Sequence, residues 1–301
     1  MKNKNLFLSI ILPTYNRLYS LKRLLLPSLE KQDFNDYELI VVDDGSSDGT
    51  SRYFNKQFKV DYPKLYRKTK YFRNNKNIGA PASRNKGSSK ALGKWFFITE
   101  DDIEIGDINF LSKATKMLHL LPKDVAVFSP KRNESNIIGY YKNPYKQFAK
   151  IGKLSGEIYI DPAQEYSGFV PTTHATSFIR CDIYNTYLED EKVFYGSTFR
   201  DESDLYLRIV KAGYRISYAG DKLALTHRND IVLTGGQKKI KSLSLFNQEL
   251  MLIRNHYRFL HKNYSLAKIR TVFFIFIRLL KHISNITHEF WIKKFMAKYA
   301  I

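Results

Sequence analysis

The chain has 301 residues, 44% of them hydrophobic and 15% aromatic, which is enough to bury a substantial core and argues against intrinsic disorder. Lys and Arg outnumber Asp and Glu by 49 to 29, and the net charge of +20 favours anionic partners such as nucleic acid, phosphorylated ligands or an acidic membrane surface. The single cysteine, Cys181, cannot form an intramolecular disulfide, so the sequence favours a reducing compartment such as the cytoplasm.

The first apolar segment, residues 6–12, is predicted to be a buried β-strand rather than a signal peptide. It is short, rich in branched side chains and followed by a polar turn without a small-residue cleavage site. Leucines spaced at helical intervals then predict a helix over 18–32, and a second apolar run predicts a strand over 37–42. These three segments form a βαβ unit.

The alternation of strands and helices continues to about residue 100. The pattern predicts a helix over 48–57, a strand over 66–71, a helix over 81–92 and a buried strand over 95–98. Such alternation indicates a doubly wound α/β fold, in which ligands bind at the carboxyl ends of the strands. Because polar clusters follow the first, second and fourth strands, we expect these clusters to meet at one edge of the sheet.

Beyond residue 107 the pattern is looser and predicts short strands and loops. The clearest strands are 125–129 and 175–179, and a helix is predicted over 201–212. From 242 to the C-terminus the sequence is helical in pattern, basic and aromatic. No run of about 18 uncharged apolar residues occurs, so no membrane-spanning helix is predicted.

Three consecutive carboxylates, Glu100, Asp101 and Asp102, follow the fourth predicted strand. Adjacent like charges at a strand end are costly unless a cation neutralises them, and oxygen ligands suit Mg²⁺ or Mn²⁺ bridging a diphosphate. An acidic, solvated turn is the alternative explanation. Asp43 and Asp44, which follow the second strand, could likewise accept hydrogen bonds from a base or a ribose.

Residues 9–102 contain four motifs in a characteristic order. They are SIILPTYNR from Ser9, VVDDGSSDGT from Val41, NIGAPASRNKG from Asn77 and FITEDD from Phe97. In order and spacing they resemble the signatures of the family 2 glycosyltransferases. The resemblance continues through FRDESDL from Phe199, AGYRI from Ala212 and the pair Thr226 and His227.

This resemblance implies an α/β protein of the GT-A fold, in which a Rossmann-like nucleotide-binding half is fused to an acceptor-binding half. It also implies an inverting, metal-dependent transfer of a sugar from a nucleotide-sugar, most commonly a UDP-sugar in this family, to a polysaccharide, glycolipid or other glycan acceptor. No G-x-G-x-x-G element is present, which disfavours a dinucleotide enzyme.

In the nucleotide-binding half, the resemblance assigns contacts with the donor. Thr14 and Tyr15 would contact the nucleoside, Asp44 would recognise the base and Arg84 would help to hold the nucleotide. Asp102 would be a principal ligand of Mn²⁺ or Mg²⁺. Asp101 would reach the ribose or the metal, and Glu100 replaces the first Asp of the usual D-x-D pattern. The full set of donor-binding positions that the resemblance implies is Pro13, Thr14, Tyr15, Asn16, Asp43, Asp44, Asn77, Arg84, Glu100 and Asp101.

In the acceptor-binding half, the resemblance places the catalytic base in an acidic pair that opens a helix. Glu202 aligns with the base, Asp201 is the fallback, and Asp204 is a structural or acceptor contact. An acidic first turn that complements the helix dipole would explain any one of these carboxylates but hardly all three. His227 matches a position that presents a histidine to the metal or the diphosphate, and His174 lies where the family forms a wall near the donor sugar.

We expect a catalytic domain over 1–234, with its two halves meeting at about residue 107, and a basic, aromatic helical extension over 235–301. The glycine-containing loop 234–238 would close over the diphosphate or act as a linker. Residues 266–298 are predicted either to rest on anionic lipid at the inner face of the membrane or to pack on the catalytic domain or on a second subunit in a homo-oligomer. Membrane attachment would suit a lipid-linked acceptor.

Three other classes of protein fit parts of the sequence. A nucleic-acid-binding protein would explain the basic charge and the aromatic residues, but not the clustered carboxylates, which repel phosphate unless a metal is present. A nucleotidyltransferase that makes a nucleotide-sugar would carry a glycine-rich basic loop after the first strand, where this chain has PTYNR. A donor-binding protein without turnover is disfavoured because Asp102 and Glu202 are intact. We therefore expect no nucleic-acid partner.

Overall fold

The computed structural model describes residues 6–135, 149–161, 164–195, 199–228, 230 and 244–286. Its strands are β1 (Leu8–Thr14), β2 (Tyr37–Asp43), β3 (Thr69–Arg73), β4 (Trp95–Ile98), β5 (Ile103–Glu104), β6 (Val125–Glu134), β7 (Ala149–Ile151), β8 (Ile158–Ile160), β9 (Ser167–Val170), β10 (Ser177–Arg180) and β11 (Arg215–His227). Its helices are α1 (Leu18–Arg23), α2 (Leu25–Glu30), α3 (Thr50–Lys56), α4 (Phe58–Asp61), α5 (Pro63–Tyr66), α6 (Ala80–Ser88), α7 (Phe110–His119), α8 (Cys181–Tyr187), α9 (Asp201–Lys211), α10 (Leu245–Asn263) and α11 (Ala267–Ile286).

A mixed sheet in the order β3-β2-β1-β4-β10-β6-β11-β5 forms the centre of the molecule, with β9 paired to β11. The first four strands are parallel, as expected for the doubly wound half. Strand β10 then pairs antiparallel with both β4 and β6, so the second half of the chain continues the same sheet. Strands β7 and β8 form a separate hairpin pair.

Both faces of the sheet are covered, which explains why the central strands are nearly continuous apolar runs; two buried polar residues within them, Ser9 of β1 and Glu38 of β2, are hydrogen-bonded to each other at 2.7 Å. Ile10 and Phe97 belong to the hydrophobic cluster on one face, whereas Ile11 and Phe96 belong to the cluster on the other. Successive side chains of a strand point to opposite faces, so a strand buried on both sides is apolar at most positions. On the second face, α6 approaches closely because Gly87 has no side chain, and a Cβ there would lie 2.7 Å from Ile11.

Three expectations about the elements were wrong. The helix predicted over 18–32 is divided into α1 and α2 at Leu24. Pro27 cannot donate a helical hydrogen bond and its ring crowds the preceding turn, which accounts for the break. The strand predicted over 66–71 begins only at Thr69, because Pro63 starts the short helix α5. Residues 110–119, in the region expected to hold short strands and loops, form the helix α7, which buries one apolar face.

The two C-terminal helices pack against each other and against the catalytic part of the chain. His256 of α10 stacks on Phe274 of α11 at a ring-centroid distance of 3.8 Å. Lys262 of α10 is 2.8 Å from Asp204 of α9. No helix in the described part of the chain is long and apolar enough to cross a membrane. The loop 234–238 and residues 287–298 lie outside the described residues, and the division into domains stays a prediction.

Candidate active site

The polar clusters that follow β1, β2 and β4 meet at one edge of the sheet, as predicted. Thr14 at the end of β1 donates a 2.9 Å hydrogen bond to Oδ2 of Asp101 after β4. The backbone N–H of Asn16 donates to Oγ of Ser46 at 2.9 Å, which joins the loops after β1 and β2. Asn16 has a φ of 53°, a left-handed conformation that Asn tolerates better than most residues.

The turn after β2 depends on a glycine. Gly45 has a φ of 79°, and a Cβ at this position would lie 2.8 Å from the backbone carbon of Lys76. The loop 74–79 therefore packs directly against the turn. Asp44 fixes this loop, since Oδ1 accepts hydrogen bonds from Asn74 and from the N–H of Ile78, and Oδ2 accepts from the N–H of Gly79.

Asp44 keeps room for one more hydrogen bond, because a carboxylate oxygen accepts about two and Oδ2 accepts one. Asp43, in contrast, is completely buried and binds Tyr71, Arg73 and the N–H of Ser46. The remaining predicted donor-binding positions are accessible: Pro13 and Tyr15 are partly exposed and Asn77 is exposed. A role in base recognition stays a prediction for Asp44, as does nucleotide binding for Asp43.

Asp102 lies in a buried cluster of opposite charges. Its Oδ2 is 3.4 Å from Nε2 of His227 and 3.6 Å from Nη1 of Arg17, and Nδ1 of His227 is 2.6 Å from Glu134. Burial lowers the pKa of His227, but its contacts with Asp102 and Glu134 outweigh burial and raise the pKa to about 10. A protonated His227 therefore neutralises the carboxylates on both sides of it.

The neighbouring carboxyl of Asp101 behaves differently. Burial raises the pKa of Asp101 to about 7, against the opposing charge of Arg17 and with a further contribution from Asp102. The pKa values of the two adjacent acids are thus shifted in opposite directions, since the contact with His227 lowers the pKa of Asp102 despite burial. Adjacent carboxylates with pKa values pushed apart are common at functional sites.

The residues around Asp102 fit a divalent cation when a diphosphate completes its coordination. Oδ1 of Asp102 is buried and accepts no hydrogen bond, and the imidazole of His227 lies beside this carboxylate. The described residues contain no group of three or more His, Cys, Asp or Glu side chains arranged to hold a metal by themselves. Mg²⁺ is normally bound through one or two carboxylates together with substrate phosphates, so two protein ligands suffice for a metal that arrives with its substrate.

The predicted catalytic acids open α9 and are tied to a buried arginine. Oδ2 of Asp201 accepts a 2.5 Å hydrogen bond from Nη2 of Arg84. The same guanidinium lies 2.7 Å from each carboxylate oxygen of Glu189. Asp201 is fully buried, whereas Glu202 keeps partial exposure, so Glu202 is the more accessible of the two acids.

Protonation differs among these acids. Burial and the adjacent Asp201 raise the pKa of Glu202 well above its usual value. Burial also raises the pKa of Glu189 to about 7, although Arg84 opposes the shift. A carboxylate with a raised pKa is a stronger base, which suits the removal of a proton from a hydroxyl.

A tyrosine holds α9 against the sheet edge that carries the acidic triplet. The hydroxyl of Tyr206, one turn after Glu202, is 2.7 Å from Oγ of Ser177 and donates a 3.0 Å hydrogen bond to the carbonyl of His174. Ser177 pairs with Ile98, the last residue of β4. The amino end of α9 and the carboxyl end of β4 are therefore brought to the same part of the molecule.

Two predicted substrate-binding residues make their described contacts inside the protein. Asp204 is fully buried and accepts hydrogen bonds from Lys262 at 2.8 Å and Asn263 at 2.7 Å, so it fastens α10 to α9. Nε2 of His174 is 2.9 Å from the carbonyl of Pro130, and burial lowers the pKa of His174 to about 3. These contacts are structural, and a substrate role for either residue stays a prediction.

Glu100 points away from the partners of Asp101. Its Oε2 accepts a hydrogen bond from Thr176 at 3.3 Å and lies 3.6 Å from Nη1 of Arg132. Arg132 also binds Glu134 through Nε at 2.8 Å. Glu100 thereby connects the end of β4 to the second half of the sheet, and its role in donor binding stays a prediction.

The sequence did not reveal Arg132, Glu134 and Glu189, and it gave Arg17 no role. Each is a single charged residue in a stretch without periodicity. Strand β6 was predicted only to residue 129 but extends to Glu134, which is how that carboxylate reaches His227. Only the pairing of β6 with β11 makes this contact visible.

Comparison with known proteins places this geometry in a family. The model of Glycosyl transferase family 2 matches residues 9–185. The GalNAc(5)-diNAcBac-PP-undecaprenol beta-1,3-glucosyltransferase of Campylobacter jejuni is 37% identical over 99 residues, which are 33% of this chain and 30% of that protein. The putative glycosyltransferase EpsE of Bacillus subtilis is 27% identical over 201 residues, 66% of each chain. The matched segment thus spans less than a third of the Campylobacter jejuni relative.

Solved structures show the same fold. S. aureus TarS 1-349 in complex with UDP-GlcNAc superposes with a TM-score of 0.54 and 21% identity, covering 85% of this chain and 73% of TarS 1-349. The mannosyltransferase PcManGT of Pyrobaculum calidifontis, in complex with GDP-Man and Mn²⁺, superposes with a TM-score of 0.54 and 17% identity, covering 97% of this chain and 79% of PcManGT. The expectation of a GT-A fold is confirmed. The chain belongs to glycosyl transferase family 2.

Proposed function

We propose that this protein is an inverting glycosyltransferase that moves a sugar from a nucleotide-sugar, in the first instance a UDP-sugar, to a hydroxyl of a glycan or glycolipid acceptor. One observation carries the proposal. The acidic triplet after β4 and the acidic pair at the start of α9 are brought to the same edge of the sheet through Tyr206 and Ser177. One cluster can bind a donor diphosphate with its metal, and the other can supply a base.

The base in this mechanism is Glu202. It accepts the proton of the acceptor hydroxyl while that oxygen forms a bond to the anomeric carbon from the face opposite the diphosphate. The bond to the diphosphate breaks, and the configuration at the anomeric carbon is inverted. Arg84, which Glu189 holds in place, positions the acidic pair by its hydrogen bond to Asp201. A general base of this kind contributes about 10²–10⁴-fold in rate.

The donor is held at the other cluster. Thr14 orients Asp101 by its hydrogen bond, and Asp44 keeps one acceptor position open toward a base. Asp102 and His227 would hold Mn²⁺ or Mg²⁺, which when bound stabilises the negative charge on the departing diphosphate. His227 must lose the proton on Nε2 to act as a metal ligand. Its Nδ1–H can still donate to Glu134, and the charge of the metal would replace that of the imidazolium beside Asp102. The Mn²⁺ and GDP-Man named in the PcManGT complex support this assignment.

For the acceptor, we propose a lipid-linked saccharide and a position at the inner face of the membrane. The name of the Campylobacter jejuni relative gives an undecaprenol-linked acceptor, which supports the proposal. Helix α11 adds a second argument, because large apolar side chains spaced three or four residues apart are exposed along one stripe: Ile269, Val272, Phe273, Phe276 and Leu279. An apolar stripe on a basic helix suits an anionic lipid surface.

A donor screen tests the proposed function. Release of nucleotide from UDP-, GDP- and dTDP-sugars is measured with Mn²⁺, with Mg²⁺ and with a chelator, for the wild-type protein, Glu202→Gln and Asp102→Ala. We expect release from one donor class, dependent on the metal and reduced at least 100-fold in both variants. As a matched control, Glu191→Gln changes an exposed carboxylate outside the site and should retain activity.

The proposed function is wrong if no donor is bound or turned over by the wild-type protein under any of these conditions. Salt-sensitive retention on DNA in the same preparation would then point to the basic surface as the functional one. Full activity of Glu202→Gln would instead show only that Glu202 is not the base, and Asp201 would then be the candidate.

A further inference from the structure

Arg200 has an unusual backbone conformation directly before the candidate base. It precedes Asp201 and Glu202 at the start of α9 and has a φ of 78°. This left-handed conformation is uncommon for a residue with a long side chain and is strained. Such strain persists where the surrounding structure imposes it, and it is concentrated at functional sites.

The guanidinium of Arg200 is buried, and none of the carboxylates that the structure describes forms an ion pair with it. The residue is 7% exposed, its Nε donates no hydrogen bond, and no described carboxylate lies within ion-pair distance. The other two arginines buried to this degree in the described part of the chain, Arg17 and Arg84, each face two carboxylates. Burying a charge without a partner is costly, and of these three arginines only Arg200 has no described carboxylate beside it.

The surroundings of Arg200 are polar but do not neutralise it. Burial lowers the pKa of Arg200 to about 10, and Arg278 adds to this effect, while the more distant Glu157 and Glu202 oppose it. Arg278 is engaged by Glu249 at 2.5 Å. The central carbon of the Arg200 guanidinium lies 4.5 Å from the centre of the Phe199 ring, a cation–π contact that places no carboxylate beside the charge.

We propose that Arg200 binds an anionic group of the acceptor, a phosphate or a carboxylate, beside the hydroxyl from which Glu202 removes a proton. This inference rests on the proposed function and adds the chemical class of the acceptor to it. A guanidinium presents a planar pair of donors that matches either anion, and burial strengthens the contact. An acceptor held by this contact would present its neighbouring hydroxyl to Glu202.

Binding of simple anions tests the proposal without any turnover. Inorganic phosphate and acetate are titrated at constant ionic strength into the full chain, and the arginine Nε–Hε signals are followed by NMR. We expect phosphate or acetate to shift one signal that is missing from Arg200→Lys, and to bind Arg200→Gln about 10- to 100-fold more weakly. Arg215→Gln, which removes an exposed arginine of β11, should bind like the wild-type protein.

A glycine variant separates anion binding from a structural role. Gly adopts a φ of 78° without strain, and Arg200→Gly also removes an unpaired buried charge. We therefore expect Arg200→Gly to unfold at a higher temperature than the wild-type protein while losing anion binding. A lower unfolding temperature would mean that Arg200 supports the fold, and anion binding equal to wild type would place the anion elsewhere. Either result overturns the proposal.

Kinetics with the donor found in the screen identify the anion. Glycerol 3-phosphate, glucuronate and a neutral saccharide are compared as acceptors, and the preferred anionic acceptor should show a KM raised about 10-fold or more by Arg200→Gln. A fall in kcat with an unchanged acceptor KM would mean that Arg200 acts only on Glu202 and would overturn the inference. Failure of the proposed function appears instead as absence of donor turnover in every protein.

Discussion

Replacing Arg84 by Met tests whether this arginine holds the catalytic acids or the nucleotide. The change leaves Asp201 and Glu189 without their shared cation, and both are at least 96% buried because their exposed fractions are 0% and 4%. Removing one partner of a buried ion pair costs about 3–5 kcal/mol. Glu189 already has a pKa of about 7 and can take up a proton, so the charge left uncompensated is that of Asp201. We therefore expect Arg84→Met to lower the free energy of unfolding by about 3 kcal/mol, the lower end of this range.

The free energy of unfolding in urea measures this cost at pH 7 and pH 5. A buried carboxylate without its cation has a raised folded-state pKa, so its penalty is largest at high pH and shrinks as the pH falls through that pKa. Arg215→Met is the matched control, because its ion pair with Asp124 is exposed and is worth at most about 1 kcal/mol. If both variants lose equally little stability and Arg84→Met instead weakens donor binding, the nucleotide contact implied by the resemblance is the correct one.

Three further predictions concern stability and lipid binding. Burial lowers the pKa of His256 to about 3, so the stability that neutral His256 contributes is complete above its unfolded pKa of 6.5 and declines as the pH falls toward 3. Between pH 6.5 and 5 the wild-type protein should therefore lose up to about 2 kcal/mol of unfolding free energy that His256→Phe does not lose. The same loss in both proteins would refute this. Gly45→Ala should lower the free energy of unfolding by about 1–3 kcal/mol, whereas Gly106→Ala should be nearly neutral, because a Cβ at Gly106 would meet no atom within 4 Å. Equal effects of the two changes in thermal melts would contradict the requirement for glycine in the turn after β2. Phe276→Asp should reduce co-sedimentation of the protein with anionic vesicles while its circular dichroism spectrum stays that of the folded wild-type protein. Unaltered vesicle binding by this variant would exclude the apolar stripe of α11 as the lipid contact.

The parallel half of the fold could be predicted because its signals are local. The strands β1, β2 and β4 are mainly apolar, and the polar residues Thr14, Asp44 and Asp101 lie at or just after their carboxyl ends. The rule that parallel strands align their carboxyl ends was enough to bring these residues together. The break at Leu24 depended on Pro27 and was overlooked, although the proline was visible in the sequence.

The second half could not be predicted to the same depth because its sheet is mixed. Strand β10 inserts antiparallel between β4 and β6, and nothing local in the sequence specifies these partners. For the same reason the contact of Glu134 with His227 and that of Glu189 with Arg84 were missed. Both join residues about 100 positions apart along the chain, and only the folded arrangement shows that the acidic groups are neutralised in pairs.

The anomeric configuration of the product tests the central claim most directly. With an α-linked nucleotide-sugar as donor, the product is isolated at early times and the coupling constant of its anomeric proton is measured by NMR. Direct attack assisted by Glu202 predicts a β-linked product, formed by the wild-type protein and absent with Glu202→Gln. An α-linked product would require two displacements or attack from the same face, and would contradict the assignment of Glu202 as the base of a single inverting step.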